Sequence, residues 1–267
     1  INILDDTTFA VNMEGAIYIY NSNLSSPISY NSNNFNVWIS PIRTIRTNEG
    51  VWSADQINGL YLYPSGIGYK TFPIVGPYNN NFYAMDWQNN TLAVASGRLL
   101  GKLPSFSTNG VHVFKEEAWS FKNVSNVPQW QNDNIWDFID ISVNPNNPEQ
   151  YAVASYSEKP LTIFTGDSVN VFDDSNSTLA FTGIENGWSL ASGVRYDAQN
   201  NLWVLNGYTE RPLNVLRPDG SWFNFGCGSS ARNIYTTKMI VDFNDNIWFA
   251  SEEHGLFGYN HKNTIDD

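Results

Sequence analysis

The sequence contains little cysteine and little histidine. Among its 267 residues there is one cysteine, Cys227, and there are three histidines, His112, His254 and His261. A single cysteine cannot form an internal disulfide, and the three histidines do not show the spacing of zinc ligands. We therefore expect no disulfide framework, no bound metal and no cofactor.

Long apolar runs and basic residues are also scarce. No segment approaches the roughly 18 to 20 continuous apolar residues that a membrane helix requires, and no positively charged region followed by an apolar one opens the chain. Lysine and arginine number 14 against 26 aspartates and glutamates, which gives a net charge of −12 and a pI of about 4.5. A field of this sign repels phosphate backbones and anionic lipid, so the composition argues against nucleic acid partners and direct membrane insertion. Because the chain begins with Ile1, we interpret it as a processed protein or a piece of a longer one.

Aromatic residues, in contrast, are abundant. They make up 15% of the sequence, with 10 Trp, 14 Tyr and 16 Phe. Aromatic and β-branched side chains suit the pleated, half-buried surface of a sheet. The apolar runs have the length of strands, are separated by turn residues and show almost no helical periodicity. The sequence therefore predicts an all-β fold.

A unit of apolar strand, polar turn and apolar strand recurs six times. The residues that end the apolar strand of each copy are Met13, Asp55, Ser96, Ser155, Asn206 and Ser251. Their mean spacing is about 48 residues, within the WD40 and kelch range of about 40 to 50. Sheets with two apolar faces become stable when they pack face to face around an axis. We predict a single β-propeller domain over residues 1–267, with six recognisable four-stranded blades and a seventh if flanking sequence completes the ring.

The polar clusters DWQNN, DAQNN and DFNDN, which begin at Asp86, Asp197 and Asp242, recur directly before an apolar strand. We place them in the hairpin between the first and second strands of a blade, where Asp and Asn bond their own backbone. Their carboxylates therefore serve the turn. Four tryptophans at regular strand positions are assigned to the core between blades rather than to ligand stacking: Trp52, Trp203, Trp222 and Trp248.

The last repeat ends differently. After Asn260 only HKNTIDD remains, and this run is too polar to complete a blade. We expect the sheet of Trp248 to lack a fourth strand from this segment.

Residues 139–179 and 193–225 together resemble a propeller of the PorZ family, which belongs to the bacterial type IX secretion system. The stretch NDNIWFASEEHGLFGYN is also similar to the two-component-regulator propeller repeat. The resemblance implies a non-catalytic propeller of a larger multidomain envelope protein, located in the periplasm or at the cell surface. It also implies a sortase-like protein partner and lipopolysaccharide glycan as a ligand. In this sequence Glu158–Lys159–Pro160 and Arg211–Pro212 replace the glycines that usually precede the third strand, so these two loops are predicted to be specialised.

The residues themselves argue against catalysis. The candidate carboxylates for glycoside hydrolysis fall in the repeated turns, and Ser229 and Ser230 lie outside any nucleophile-elbow context. The cluster DFNDN resembles the start of a calcium loop but lacks the required glycine and distal glutamate. We therefore predict that the protein is not an enzyme.

Candidate binding residues come from the loops that join second to third strands, because rigid strands hold such loops at one end of a propeller. A solvated polar rim is the alternative interpretation of these loops. Trp130 and Trp188 fit the regular strands least well and are predicted to be exposed aromatics, with packing under a loop as the alternative. The predicted ligand or partner residues are Tyr156, Glu158, Tyr208, Glu210, Arg211, His254, Trp130 and Trp188.

Two functions remain open at this stage. One is an assembly and recognition module of a secretion apparatus, with protein and glycan partners. The other is the extracytoplasmic sensor of a hybrid two-component regulator that recognises polysaccharide fragments. Sequence flanking this chain would distinguish them, since a sensor continues into a membrane helix and a kinase.

Overall fold

The computed structural model describes residues 1–64, 68–72, 76–131, 134–182, 187–262 and 265. The chain divides into two compact units, Ile1–Val75 and Gly76–Asp267. Apart from one four-residue helix and two single turns of 3-10 helix, the regular elements among these residues are β-strands.

The first unit consists of two four-stranded antiparallel sheets with their strands in chain order. The strands of the first sheet are β1 (Asn2–Ile3), β2 (Thr8–Met13), β3 (Ala16–Asn21) and β4 (Ile28–Asn31), followed by helix α1 (Ser32–Phe35). Those of the second are β5 (Pro41–Thr47), β6 (Gly50–Asp55), β7 (Gly59–Pro64) and β8 (Lys70–Phe72). Ile17, Val51 and Tyr63 belong to the apolar core of this unit.

The second unit begins with a four-stranded sheet whose second-to-third connection carries a short hairpin. Its elements are β9 (Ala84–Gln88), β10 (Thr91–Ala95), the hairpin of β11 (Leu99–Leu100) and β12 (Leu103–Pro104), β13 (Val111–Lys115) and β14 (Ala118–Lys122). A 3-10 turn, Pro128–Trp130, leads to the next strands.

Two further sets of four strands follow. The first set is β15 (Phe138–Asn144), β16 (Asn147–Ser157), β17 (Leu161–Thr165) and β18 (Ser168–Phe172). The second set is β19 (Ser189–Tyr196), β20 (Leu202–Gly207), β21 (Leu213–Leu216) and β22 (Trp222–Phe225), after which a 3-10 turn spans Ser229–Ala231. The ends of β16 and β19 pair, with Tyr156 opposite Leu190, so the two sets form one continuous hydrogen-bonded sheet.

The arrangement within the second unit is that of a propeller. The first strands of successive sets, β9, β15 and β19, lie next to one another, and β19 contacts the first strand of the last sheet. Apolar clusters fill the space between neighbouring sets; Ala93 and Val153 share one cluster, and Val194 and Ala152 another. The predicted all-β propeller fold is confirmed, whereas the number of blades in a complete ring stays a prediction.

The last sheet contains β23 (Met239–Val241), β24 (Ile247–Ser251) and β25 (Gly255–Tyr259). Of the C-terminal segment, the described residues 261, 262 and 265 do not join this sheet. Residues 263–264 and 266–267 lie outside the described residues, so the prediction of no fourth strand is met only for the part of the segment that is described.

The Asp-containing hairpins explain why carboxylates stand so close to tryptophans. Asp197 accepts hydrogen bonds from the backbone N–H groups of Gln199 and Asn201 and, at 2.9 Å, from the indole Nε1 of Trp203. Asp242 accepts the Nε1 of Trp248 at 2.8 Å in the same way. The hydrogen bonds of Asn246 and Trp248 hold the pKa of Asp242 well below its usual range. The prediction that these carboxylates serve turns is confirmed for Asp197 and Asp242, and each also orients the tryptophan six residues later. It is wrong for Asp86, which lies within β9 and accepts a hydrogen bond from the backbone N–H of Val143 on β15 at 2.8 Å.

Candidate functional site

The loops between second and third strands lie at one end of the second unit, because the strands of every sheet are antiparallel. We call this end the Tyr208 end. Its loops follow β10, β16, β20 and β24, and the turns that contain Asp197 and Asp242 lie at the opposite end.

A groove at this end is built around the loop from Tyr208 to Arg211. It has a volume of about 400 Å³ and is lined by Phe181, Tyr208, Glu210, Arg211, Asn224 and Asn233, among others. We call it the Tyr208 groove. Its volume lies within the range of about 300–1,000 Å³ that is usual for small-ligand sites.

Backbone pairing fixes the loop that forms the groove. The N–H of Tyr208 donates to the carbonyl of Ile234 at 2.8 Å, and the N–H of Asn233 donates to the carbonyl of Thr209 at 2.8 Å. Tyr208 has a φ of 59°, a left-handed conformation that a bulky residue adopts only where its surroundings enforce it. The strained position therefore marks a loop whose shape is defined by the fold.

The polar side chains of the groove differ in how many of their hydrogen-bond donors and acceptors are already paired within the protein. The Nη1 of Arg211 donates to the carbonyl and to the Oδ1 of Asn224, at 3.2 and 3.0 Å, which holds the guanidinium in place. Arginine carries five N–H donors, so most of them stay available. Glu210 is exposed, and Phe181 presents an aromatic ring that is 41% exposed. The groove therefore combines a fixed cation, a carboxylate and an apolar surface.

Tyr208 packs against a second tyrosine, Tyr235, which supports the loop. The Tyr208 ring lies 5.6 Å from the ring of Tyr235, and the Nζ of Lys102 lies 5.4 Å from the centre of the Tyr235 ring. Lys102 also forms an ion pair with Glu253. Burial raises the pKa of Tyr208, and the nearby carboxylates of Glu253 and Glu252 raise it further. These phenols consequently stay neutral at physiological pH and act as hydrogen-bonding and packing groups.

A second aromatic group lies near the groove. The rings of Phe106, Trp136 and Trp188 meet edge to face, with centroids 5.2 to 5.4 Å apart. Trp188 is half-buried, and its carbonyl accepts hydrogen bonds from the N–H and hydroxyl of Thr182, a lining residue of the groove. The sequence expectation of an exposed Trp188 is thus met only partly.

The eight predicted site residues do not all come together. Tyr208, Glu210 and Arg211 line the Tyr208 groove. Glu158 lies in a neighbouring loop, where it accepts a hydrogen bond from Asn134 Nδ2 at 2.6 Å, and His254 is exposed in the loop after β24. Tyr156 is only 3% exposed and packs with Leu190 and Tyr235, so it supports the loops from inside.

The prediction that Trp130 is exposed is wrong. Its side chain is fully buried, its ring lies 4.5 Å from that of Phe138 and 5.5 Å from that of Phe164, and its Nε1 donates to Thr162 Oγ1 at 3.0 Å. The long connection before β15 folds back so that this tryptophan fills the core. The alternative considered from the sequence, packing under a loop, is the observed one.

Sequence reasoning missed Phe181, Asn224 and Asn233, which complete the groove. Phe181 and Asn233 lie in connections between repeats and Asn224 in an outer strand, positions that follow no common pattern. Only the fold brings them to the Tyr208 loop.

In the part of the chain that the structure describes, no group of three or more His, Cys, Asp or Glu side chains is placed to hold a metal ion. Glu210 is the one carboxylate among the described lining residues of the groove, whereas glycoside hydrolysis uses two. Burial raises the pKa of Cys227 to about 12, so its thiol is a poor nucleophile at neutral pH.

No helix in the described part of the chain is both long and apolar enough to span a membrane.

No protein-family model and no curated protein matches the sequence, but solved structures do. PorZ, an essential bacterial surface component of the type IX secretion system of Porphyromonas gingivalis, is 20% identical with a TM-score of 0.64; the match covers 98% of this chain and 36% of PorZ. The extracellular domain of BT4673, a putative hybrid two-component system from B. thetaiotaomicron, is 15% identical with a TM-score of 0.45, covering 97% and 32%. Virginiamycin B lyase from Staphylococcus aureus is 10% identical with a TM-score of 0.44, covering 96% and 82%.

The likeness to PorZ is one of fold. It confirms the PorZ-like propeller predicted from the sequence at that level. The chain spans about a third of the length of PorZ, with which it aligns over 36% of that protein.

Proposed function

We propose that this chain is a non-catalytic recognition module of the bacterial cell envelope, and that its Tyr208 groove binds a cell-surface glycan as part of a secretion-type assembly. The observation that carries the proposal is the groove itself, in which a held arginine, a carboxylate and an exposed aromatic ring converge on one loop.

The groove suits a hydroxyl-rich ligand. Arg211 and Asn233 offer N–H donors, Glu210 offers acceptors, and Phe181 offers an apolar surface for the C–H faces of a sugar ring. Because the loop is fixed by backbone pairing, little conformational entropy is lost when a ligand binds. The same features suit binding better than hydrolysis, since a second carboxylate is lacking among the described lining residues.

A protein partner belongs to the same proposal. The loop after β24 places exposed Glu252, Glu253 and His254 at the Tyr208 end. A polar rim of this kind is typical of transient interfaces, and the resemblance to the PorZ family suggests a sortase-like partner for it.

The test measures binding of delipidated lipopolysaccharide polysaccharide to the wild type and to the variants Tyr208→Ala and Arg211→Ala by isothermal titration calorimetry. Loss of a held charged donor is worth about 1.5–3 kcal/mol, so we expect at least about tenfold weaker binding in Arg211→Ala. Tyr208→Ala should also weaken binding, because it removes an aromatic side chain from the groove lining. The melting temperature should change by less than a few degrees. Arg43→Ala, which removes an exposed arginine from the first unit, is the matched control and should bind as the wild type does.

Two results would contradict the proposal. One is unchanged binding in both groove variants. The other is equal weakening in Arg43→Ala, which would reduce the effect to net charge.

A further inference from the structure

A second cavity lies at the end of the second unit opposite to the Tyr208 end. It has a volume of about 480 Å³ and lies between the set β15–β18 and the set β19–β22. Ile163 and Phe172 from the first set and Leu202 and Leu216 from the second form its apolar wall. We call it the amide groove, after the side chains at its mouth.

Six amide side chains line this cavity: Asn144, Asn146, Asn147, Gln150, Asn170 and Asn200. Arg217 is the one charged side chain among the described lining residues, and no carboxylate is among them. The lining therefore carries one positive and no negative side-chain charge, although the chain as a whole carries a net charge of −12.

Part of this amide set is held in place by hydrogen bonds, one group of which joins the two strand sets. The Nδ2 of Asn146 donates to the carbonyl of Ala198 and to the Oδ1 of Asn200, both at 3.0 Å, which links the first turns of the two sets. The Nε2 of Gln150 donates to Thr165 Oγ1 at 3.1 Å. Asn170, in contrast, is exposed on β18 and its side chain makes no hydrogen bond to the described residues.

A buried hydroxyl provides an independent observation. Tyr196 lines the cavity, and its phenolic oxygen is buried without a hydrogen-bond partner among the described residues. Buried polar groups in native proteins are nearly always hydrogen-bonded, so an unpartnered one requires an explanation. The needs of the turns explain the bonded amides at the rim, but they do not explain an unpartnered hydroxyl on a residue of the cavity wall.

We infer that the amide groove is a second ligand site and that it binds a short, uncharged oligosaccharide. Each amide offers both a donor and an acceptor, which matches the paired donor and acceptor character of sugar hydroxyls. The apolar wall can pack against the C–H faces of a pyranose ring, and the volume falls in the usual range for small-ligand sites. The lack of a carboxylate disfavours cations, and a single arginine is too few to select an acidic ligand.

The experiment is saturation-transfer-difference NMR with the whole chain. The probes are the neutral trisaccharides cellotriose, maltotriose and mannotriose, with trigalacturonic acid and triglycine as acidic and peptide comparators. We expect at least one neutral trisaccharide to bind, with at least about tenfold weaker affinity in the double variant Tyr196→Phe/Asn170→Ala. Asn170→Ala alone should also weaken binding. Because Asn170 is exposed, this variant should fold normally, so weaker binding cannot be attributed to misfolding.

The control double variant is Tyr151→Phe/Ser120→Ala. Tyr151 is a buried tyrosine outside the cavity, and Ser120 has the same exposed third position in β14 that Asn170 has in β18. Its trisaccharide affinity should equal that of the wild type. Arg211→Ala should also leave this signal unchanged, which separates the amide groove from the Tyr208 groove.

Several results would overturn the inference. The first is that no neutral trisaccharide gives a saturation-transfer signal, and the second is that the protein prefers triglycine or trigalacturonic acid. The others are that trisaccharide binding survives in Tyr196→Phe/Asn170→Ala or is lost in Arg211→Ala. The first would show that the unpartnered hydroxyl of Tyr196 does not mark a ligand site.

Discussion

The two Asp–Trp hairpins allow a matched test of how much a turn carboxylate stabilises the fold. Asp197 and Asp242 hold equivalent positions and accept equivalent hydrogen bonds, but their tryptophans differ in exposure. Trp203 is fully buried, whereas Trp248 is 37% exposed. The same substitution, Asp→Ala, should therefore have unequal consequences at the two positions.

Asp197→Ala removes the acceptor of four hydrogen bonds. Besides the backbone N–H groups of Gln199 and Asn201, these include Asn201 Nδ2 at 2.8 Å and Trp203 Nε1 at 2.9 Å. Asn201 and Trp203 are buried, so their donors are left without a partner, at about 1–3 kcal/mol each. We expect a loss of about 3 kcal/mol, or about 6–12 °C in melting temperature for a domain of this size.

The assay is differential scanning calorimetry of Asp197→Ala, Asp242→Ala and the wild type at pH 7. In Asp242→Ala the indole of Trp248 can donate to water instead, so the fall in melting temperature should be clearly smaller. Asp197→Asn, which keeps one acceptor oxygen, should fall between the wild type and Asp197→Ala. Equal shifts in the two alanine variants would refute the reasoning, because burial of the indole donor would then not matter.

Two further predictions concern buried side chains of the second unit. Trp130→Ala should lower the free energy of unfolding by about 3–5 kcal/mol, the usual range for a buried Trp. Glycan binding at the Tyr208 groove should stay unchanged. A loss below about 1 kcal/mol, measured by urea unfolding, would contradict the place of Trp130 in the core. His112 is fully buried, its ring nitrogens have no partner among the described residues, and burial lowers its pKa. Its neutral form stabilises the fold above the unfolded pKa of about 6.5, and this stability is lost as pH falls below that value toward the folded pKa. Between pH 7.5 and 5, the melting temperature of His112→Gln should therefore fall by less than that of the wild type. His254→Gln, at an exposed position, is the control. Identical falls in the wild type and in His112→Gln would disprove the prediction.

The repeat and its turns could be predicted from the sequence because they depend on local chemistry. Met13, Asp55 and Ser251 each end the second strand of their sheet, as expected, and Ser96 follows β10 directly. Alternating apolar residues and Asp or Asn turns depend on residues within about ten positions of one another, so they are visible in the sequence. Trp203 was correctly assigned to the core for the same reason.

Features that depend on distant contacts could not be predicted. Trp130 was misassigned because its partner Thr162 lies 32 residues away, on a strand that the local pattern does not connect with it. Trp248 was expected in the core, yet its side chain is 37% exposed. The groove is a similar case, since Phe181 and Asn224 meet Tyr208 only through the fold.

Polar residues in loops look alike in a sequence, and their hydrogen bonds decide which of them can serve a ligand. Asp137 is fully buried, and its two oxygens accept four bonds at 2.7 to 2.9 Å from Ser105, Phe106 and Ser107. A carboxylate used in this way has little capacity left for a ligand, although it lies in a connection between strands at the Tyr208 end. Glu210 accepts no hydrogen bond from the described residues, and Arg211 uses only Nη1. The difference arises because the backbone itself holds the Tyr208 loop, through Ile234 and Thr209 carbonyls, and so leaves the side chains free to bind.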